Sequence, residues 1–176
     1  LKNRRILEPK TGKLKKLYTY VPSANKDALL NALFAAGAGN IGNYSECSFN
    51  IDGVGTFKGN STSNPVVGER NIKSTEPEHK IEVIFPNYLE SKILNALKEN
   101  HPYEEVAYEI YELQNKHQNI GLGAIGTLEK PMTESDFLNL VKEKMQTPGI
   151  RHTKFLGKKI QKVAVLGGSG SFAIKN

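Results

Sequence analysis

The chain lacks tryptophan and has one cysteine and two methionines among its 176 residues. A lone Cys47 excludes an internal disulfide and suits a reducing compartment, so a cytoplasmic location is expected. No apolar run approaches the roughly 18 residues that a membrane-spanning helix requires, and no membrane partner is expected. The opening residues Leu1 to Arg5 contain no signal-peptide core. The chain begins without methionine and therefore reads as a piece of a longer protein. The four histidines, His79, His101, His117 and His152, show no ligand spacing. The sequence thus assigns no metal ligand and no catalytic residue. A hydrophobic content of 38 % still leaves enough apolar side chains for a core, which argues against wholesale disorder.

Charge divides the chain in three. Residues 1–16 hold seven basic side chains and one acidic, residues 17–115 hold seven basic and thirteen acidic, and residues 116–176 hold ten basic and four acidic. The sign reverses twice, which groups the two flanks together and sets the centre apart as an insertion. Basic flanks can attract nucleic acid, but the interleaved aromatics of a base-stacking surface are missing, so no nucleic-acid partner is expected.

The centre repeats itself. Val21-Pro22, eight residues, then Asn31-Ala32-Leu33 recurs as Phe85-Pro86, eight residues, then Asn95-Ala96-Leu97. Each copy follows a strand-like run, at 17–21 and 81–85, and precedes another, at 44–51 and 106–113. Two β-α-β units in tandem predict a ferredoxin-like split sandwich with two helices on one sheet face. The fold class is therefore α/β in the α+β sense, a ferredoxin-like insert at 16–115 inside a discontinuous α/β domain formed by 1–15 and 116–176. Residues 115–119 read as the linker.

Finer expectations follow from local chemistry. Ser23 can cap the first helix, Gly37 and Gly39 can stop it, and Pro102 ends the second helix at His101. Asp52-Gly53 is a turn signal, with 56–58 returning antiparallel. Residues 59–77 form the longest polar, irregular stretch, and loops of that length tend to be functional or mobile. Thr133 can cap a helix running to Met145, with Phe137, Leu140 and Val141 on one buried side. Residues 121–128, 150–156 and 163–166 are further strand candidates.

Few residues carry obvious chemistry. Cys47 alternates with Phe49 along the expected strand and reads as a small packed side chain. His101 and Glu104 stand three apart, but Pro102 between them breaks any helical face, so a turn hydrogen bond competes with ligand binding. Gly168-x-Gly170-x-x-Ala173 follows an apolar strand and matches the G-x-G-x-x-G/A phosphate loop. The candidate ligand-binding residues are therefore His101, Glu104, Gly168, Ser169 and Gly170. A tight strand-to-helix turn explains the glycines equally well.

Several segments are more specific: AGAGNIGNYSECSF (36–49), GVGTFKG (53–59), NPVVGE (64–69), HPYEEVAYEIYEL (101–113), GLGAIGTLEKPM (121–132) and KVAVLGGSGSF (162–172). In this order they resemble the NIF-three-like dinuclear metal centre family, the GTP cyclohydrolase I type 2 homologues. The centre is similar to the PII and CutA group, which are ferredoxin-like and trimeric. The resemblance implies two divalent metal ions in a full-length member, used to activate water for hydrolysis. It implies no ligand within this chain, because none of its histidines falls on the family's ligand motifs. Leu166 stands where relatives commonly have cysteine, Asn25 where many have histidine, and residues 60–63 lack a common acidic residue. By resemblance the chain is a portion of a metal-dependent hydrolase, inactive alone, that self-associates as a trimer or hexamer. The alternative is a non-enzymatic regulatory or oligomerisation module that binds a small ligand or a protein partner.

Overall fold

The computed structural model describes residues 1–168 and Gly170. Among these the elements run β1 (Lys2–Pro9), β2 (Leu14–Pro22), α1 (Lys26–Ala36), β3 (Ser48–Lys58), β4 (Lys73–Pro86), α2 (Glu90–Asn100), β5 (Tyr108–Leu113), β6 (Gly121–Met132), α3 (Glu134–Met145) and β7 (Ile160–Val165). Short 3-10 turns, Ser23–Asn25 and Asn87–Leu89, lead into α1 and α2. The chain divides into two compact units: a central unit, Thr11–His117, and a flanking unit, Leu1–Lys10 with Gln118–Asn176. The first division falls before residue 15 because Leu14 already pairs with Pro86 and Leu113.

The central unit is the ferredoxin-like sandwich. Its sheet runs β3-β4-β2-β5 and every neighbouring pair is antiparallel. Period-two alternation sends Leu17, Thr19 and Val21 of β2, with Ile81, Val83 and Phe85 of β4, to one face. Leu29, Leu33 and Ala36 of α1 and Ile93 and Leu97 of α2 bury against that face, so both helices lie on the same side. The buried Thr19 hydroxyl is satisfied by donating to the Ala107 carbonyl at 2.9 Å. Gly37 ends α1 at φ +109°, donating its N–H back to the Leu33 and Phe34 carbonyls. The helix α2 stops before Pro102, as the proline rule requires.

Several local expectations change. Ser23 does not cap α1; it begins the 3-10 turn and its hydroxyl meets His79 Nδ1 at 3.1 Å. Asp52-Gly53 is no turn, because Ser48 to Lys58 pairs residue by residue with Val83 to Lys73. The ladder outweighs the turn chemistry, and the irregular stretch shortens to 59–72. Tyr44 lies outside β3, in an isolated bridge with Ile41. Cys47 also precedes the strand, half-buried, with its N–H donated to the Gly39 carbonyl at 2.9 Å. Gly39 must be glycine: φ is +76° and a Cβ would lie 2.9 Å from the Cys47 backbone.

The flanking unit is a three-stranded antiparallel sheet ordered β1-β6-β7. Asn3, at φ +50°, accommodates the register shift between Lys2 and Arg5. Thr133 caps α3 by accepting the Asp136 N–H at 3.1 Å, and its hydroxyl donates to the Asp136 carboxylate at 2.7 Å. The expected strand at 150–156 does not form; Glu134 instead accepts the N–H groups of Leu156 and Gly157 at 2.8 and 2.9 Å. No residue of α3 is fully buried, and Met145 is 69 % exposed.

Candidate functional site

On the face away from the helices, β3 presents Phe49, Ile51, Gly53, Gly55 and Phe57, with Glu82, Lys80, Glu78, Glu76 and Ser74 opposite them on β4. β2 ends its pairing at Glu78, so Val54–Lys58 and Lys73–Pro77 continue as a two-stranded arm. The chain after the arm folds back: Asn71 donates to the Gly59 carbonyl at 2.7 Å, and the Asn64 N–H donates to Glu104 Oε2 at 2.8 Å. The segment between α2 and β5 lies beside the arm. Together they enclose a cleft of about 780 Å³ within the central unit. That volume is ordinary for a small-molecule site.

The cleft is built by residues far apart in sequence. Gly53, Gly55 and Phe57 come from the strand, Ser63, Pro65, Val66 and Val67 from the loop, and Tyr103, Glu104, Glu105 and Ala107 from the segment after α2. Gly55 leaves open the space that the Glu78 carboxylate occupies, since a Cβ there would lie 2.1 Å from Glu78 Oε2. The Glu78 carboxylate therefore lies across the strand. Its Oε1 accepts the Tyr103 hydroxyl at 2.8 Å. Burial, then the hydrogen bond and charge of Glu78, push the Tyr103 phenol well above its ordinary value. Tyr103 remains a neutral donor and holds Glu78 in one orientation.

His101 supports this wall from behind. Its Nδ1 accepts the Tyr103 N–H at 3.1 Å, which places the ring proton on Nε2, donating to the Tyr20 carbonyl at 2.8 Å. The ring meets Tyr103 edge-on at 5.2 Å, and Tyr103 in turn meets Phe57 at 5.9 Å. Burial lowers the His101 pKa, opposed by the hydrogen bond to Tyr20. Further along the same sheet face, Lys16 donates to Glu82 at 2.8 Å and Lys80 reaches Glu82 at 3.3 Å while sitting 4.1 Å over the Tyr18 ring. The hydrogen bond from Lys16 holds the Glu82 carboxyl below the ordinary value against the opposing effect of burial.

The sequence-proposed residues separate accordingly. Glu104 lines the cleft, whereas His101 is buried with both ring nitrogens committed to backbone groups. Gly168 and Gly170 belong to the flanking unit, where the Gly170 N–H donates to the Gly168 carbonyl at 2.9 Å. Ser169 and Ala173 lie outside the described residues. Glu78 and Tyr103 were not singled out by sequence reasoning. The one signal pointing to them was the glycine spacing at 53, 55 and 59, which marks a bare strand surface. At the margin of the cleft, which Asp52 reaches, Ser23, His79 and Asp52 form a hydrogen-bonded series, with His79 Nε2 2.7 Å from Asp52. Asp52 is 91 % exposed and neither Ser23 nor His79 borders the cleft, so this series ties β3 and β4 to the start of α1. Among the described residues no three His, Cys, Asp or Glu side chains gather as a metal site, and none is assigned to a metal.

Comparison with known proteins gives this architecture a family. The family model for Duf34/NIF3 (NGG1p interacting factor 3) matches residues 3–176. The GTP cyclohydrolase 1 type 2 homologue of Bacillus subtilis is 41 % identical over 161 residues, covering 92 % of this chain and 43 % of that protein. The homologue of the same name from Halalkalibacterium halodurans is 42 % identical over 172 residues, covering 97 % and 46 %. Among solved structures, a Bacillus cereus protein related to NIF3 superposes with a TM-score of 0.78 at 41 % identity, over 97 % of this chain and 45 % of that one. The chain thus spans less than half the length of these relatives. With residues 3–176 matched by the family model and a similar backbone in a solved relative, the chain belongs to the Duf34/NIF3 family.

Proposed function

We propose that this chain is the insert-bearing section of a metal-dependent hydrolase whose reaction is of the GTP cyclohydrolase type, acting in the cytoplasm. The family match over residues 3–176, with relatives carrying that name, supports the reading. The described residues do not fit a metal centre. The metals of the full-length protein would be held by residues outside this section, and this section alone would be inactive. The test is to purify the full-length protein, measure its metal content and assay GTP hydrolysis. Roughly two divalent ions per chain, with turnover abolished by a chelator, is the expected result. Metal-free protein without turnover after divalent ions are supplied would overturn it.

A second role is favoured by one observation. The sheet face of the central unit opposite the helices carries Phe49 at 64 % and Tyr111 at 56 % exposure, and β3 is an edge strand whose outer side has no partner among the described residues. Apolar side chains beside a free edge favour pairing with another copy. The central unit would therefore also be the assembly module, forming a cyclic trimer that pairs into a hexamer through the flanks. Light scattering of the full-length protein reads this directly: a monomeric mass at high micromolar concentration would refute it.

A further inference from the structure

The cleft of the central unit has a charge pattern that selects its ligand. Three segments that carry the family resemblance, 53–59, 64–69 and 101–113, meet there although about forty residues of chain separate the first from the last. Its lining is largely apolar, with Ile51, Phe57, Pro65, Val66 and Val67 supplying side chains, and it is bordered by Asp52, which meets His79, and by Glu78, Glu104 and Glu105. None of the three glutamates has a cation within ion-pair distance among the described residues. Glu78 uses one oxygen for Tyr103, and Glu104 uses one for the Asn64 N–H. Lys80 also lines the cleft, but it is drawn to Glu82 and the Tyr18 ring. Lys58 is the other basic side chain of the lining, and it is exposed.

We propose that this cleft binds a small organic cation: an apolar, planar body against the Phe57 and Val66 walls, with an amine or amidinium group on the Glu78 carboxylate. This goes beyond the hydrolase role and does not rest on it; the cleft shares β3 and its sheet face with the proposed assembly surface, and the test below separates a ligand from a second copy. The chemistry is complementary at both ends. A carboxylate beside apolar surface is only partly hydrated, and a charge-assisted hydrogen bond there is stronger than in open water. The Tyr103 hydroxyl holds Glu78 in place over the space left by Gly55 before the ligand arrives, which lowers the ordering cost of binding. A compact divalent ion does not fit, because the carboxylates are not gathered at coordinating distance. An anion of the same shape would face three uncompensated carboxylates.

The test compares benzamidine with benzoate, a planar cation and a planar anion of nearly equal size, by amide chemical-shift titration of the whole chain. Benzamidine is expected to shift Gly53, Gly55, Val66 and Tyr103 and to bind at least about tenfold more tightly than benzoate. Glu78→Gln is expected to weaken benzamidine about tenfold, as loss of a charged hydrogen-bond partner does, with Glu129→Gln in the flanking unit unchanged. Should Glu78→Gln not fold, Glu105→Gln, at an exposed position, is expected to weaken benzamidine severalfold. Equal or tighter binding of benzoate, shifts confined to other surfaces, or no response in the folded carboxylate variants would overturn the proposal. So would benzamidine binding that appears only on dilution from an oligomer to monomers, because the cleft would then be the seat of a second copy.

Discussion

The two units differ most in what they bury. Every fully buried hydrophobic side chain among the described residues, from Leu17 to Leu97, belongs to the central unit. The flanking unit has a sheet and a well-capped helix but, among the described residues, no fully buried hydrophobic side chain. Regular backbone and good capping therefore do not make a core; stability at this scale comes from apolar area removed from water. The central unit contains both faces of its own sandwich. The flanking unit holds elements whose apolar stripes remain half-exposed, as Phe137, Leu140 and Val141 do.

That contrast can be broken by mutation. Ile93→Ala empties a fully buried site between α2 and the sheet and is expected to cost the central unit about 2–5 kcal/mol, read as a lower denaturant midpoint. Leu140→Ala in α3 should change that midpoint little. A comparable loss from Leu140→Ala would show that the flanking unit has a core after all. Gly39→Ala comes next, at about 1–3 kcal/mol, because it forces a side chain into a positive-φ position against the Cys47 backbone.

His101 sharpens the comparison through pH. Its pKa is lowered in the folded state by burial, so as pH falls the unfolded chain takes up the proton first. The unfolded state then binds more protons, and stability falls with decreasing pH. The contribution is fully present above about pH 6.5 and is lost progressively below it. Chemical denaturation between pH 7.5 and 5.5 should show this slope for the central unit, and His101→Gln should flatten it. The smallest effect is Thr133→Ala: loss of the α3 cap should cost about 1 kcal/mol of local helix stability. Amide exchange in α3 would accelerate, while the buried β2 and β4 amides would keep their protection.

Much of the central fold was legible because its signals are local and repeated. The duplicated Pro-x8-Asn-Ala-Leu pattern marks two strand-to-helix junctions, and strand alternation then sends Leu17, Ile81 and Phe85 to one face. Errors arose where local preference met a long-range partner. Asp52-Gly53 has turn chemistry, yet β4 supplies a continuous ladder and the strand passes straight through. Ser23 has capping chemistry, yet His79, 56 residues away, takes its hydroxyl. Residues 150–156 have strand-like composition, but Glu134 captures the Leu156 and Gly157 N–H groups.

The cleft was not legible for the same reason. Glu104 could be suspected from its neighbourhood, but Glu78 and Tyr103 become partners only when the segment after α2 lies beside the arm. For His101 the sequence left a turn hydrogen bond and ligand binding open; in the fold its Nδ1 accepts the Tyr103 N–H and its Nε2 meets the Tyr20 carbonyl. Periodicity, prolines and glycines act through the backbone of their own neighbourhood, so the order of strands and helices, the helix-bearing face and the bare strand at 53–59 are written in the chain itself. Which carboxylates remain without a cation, and which tyrosine aims them, depends on distances between residues remote in sequence. Only the packed structure sets those distances.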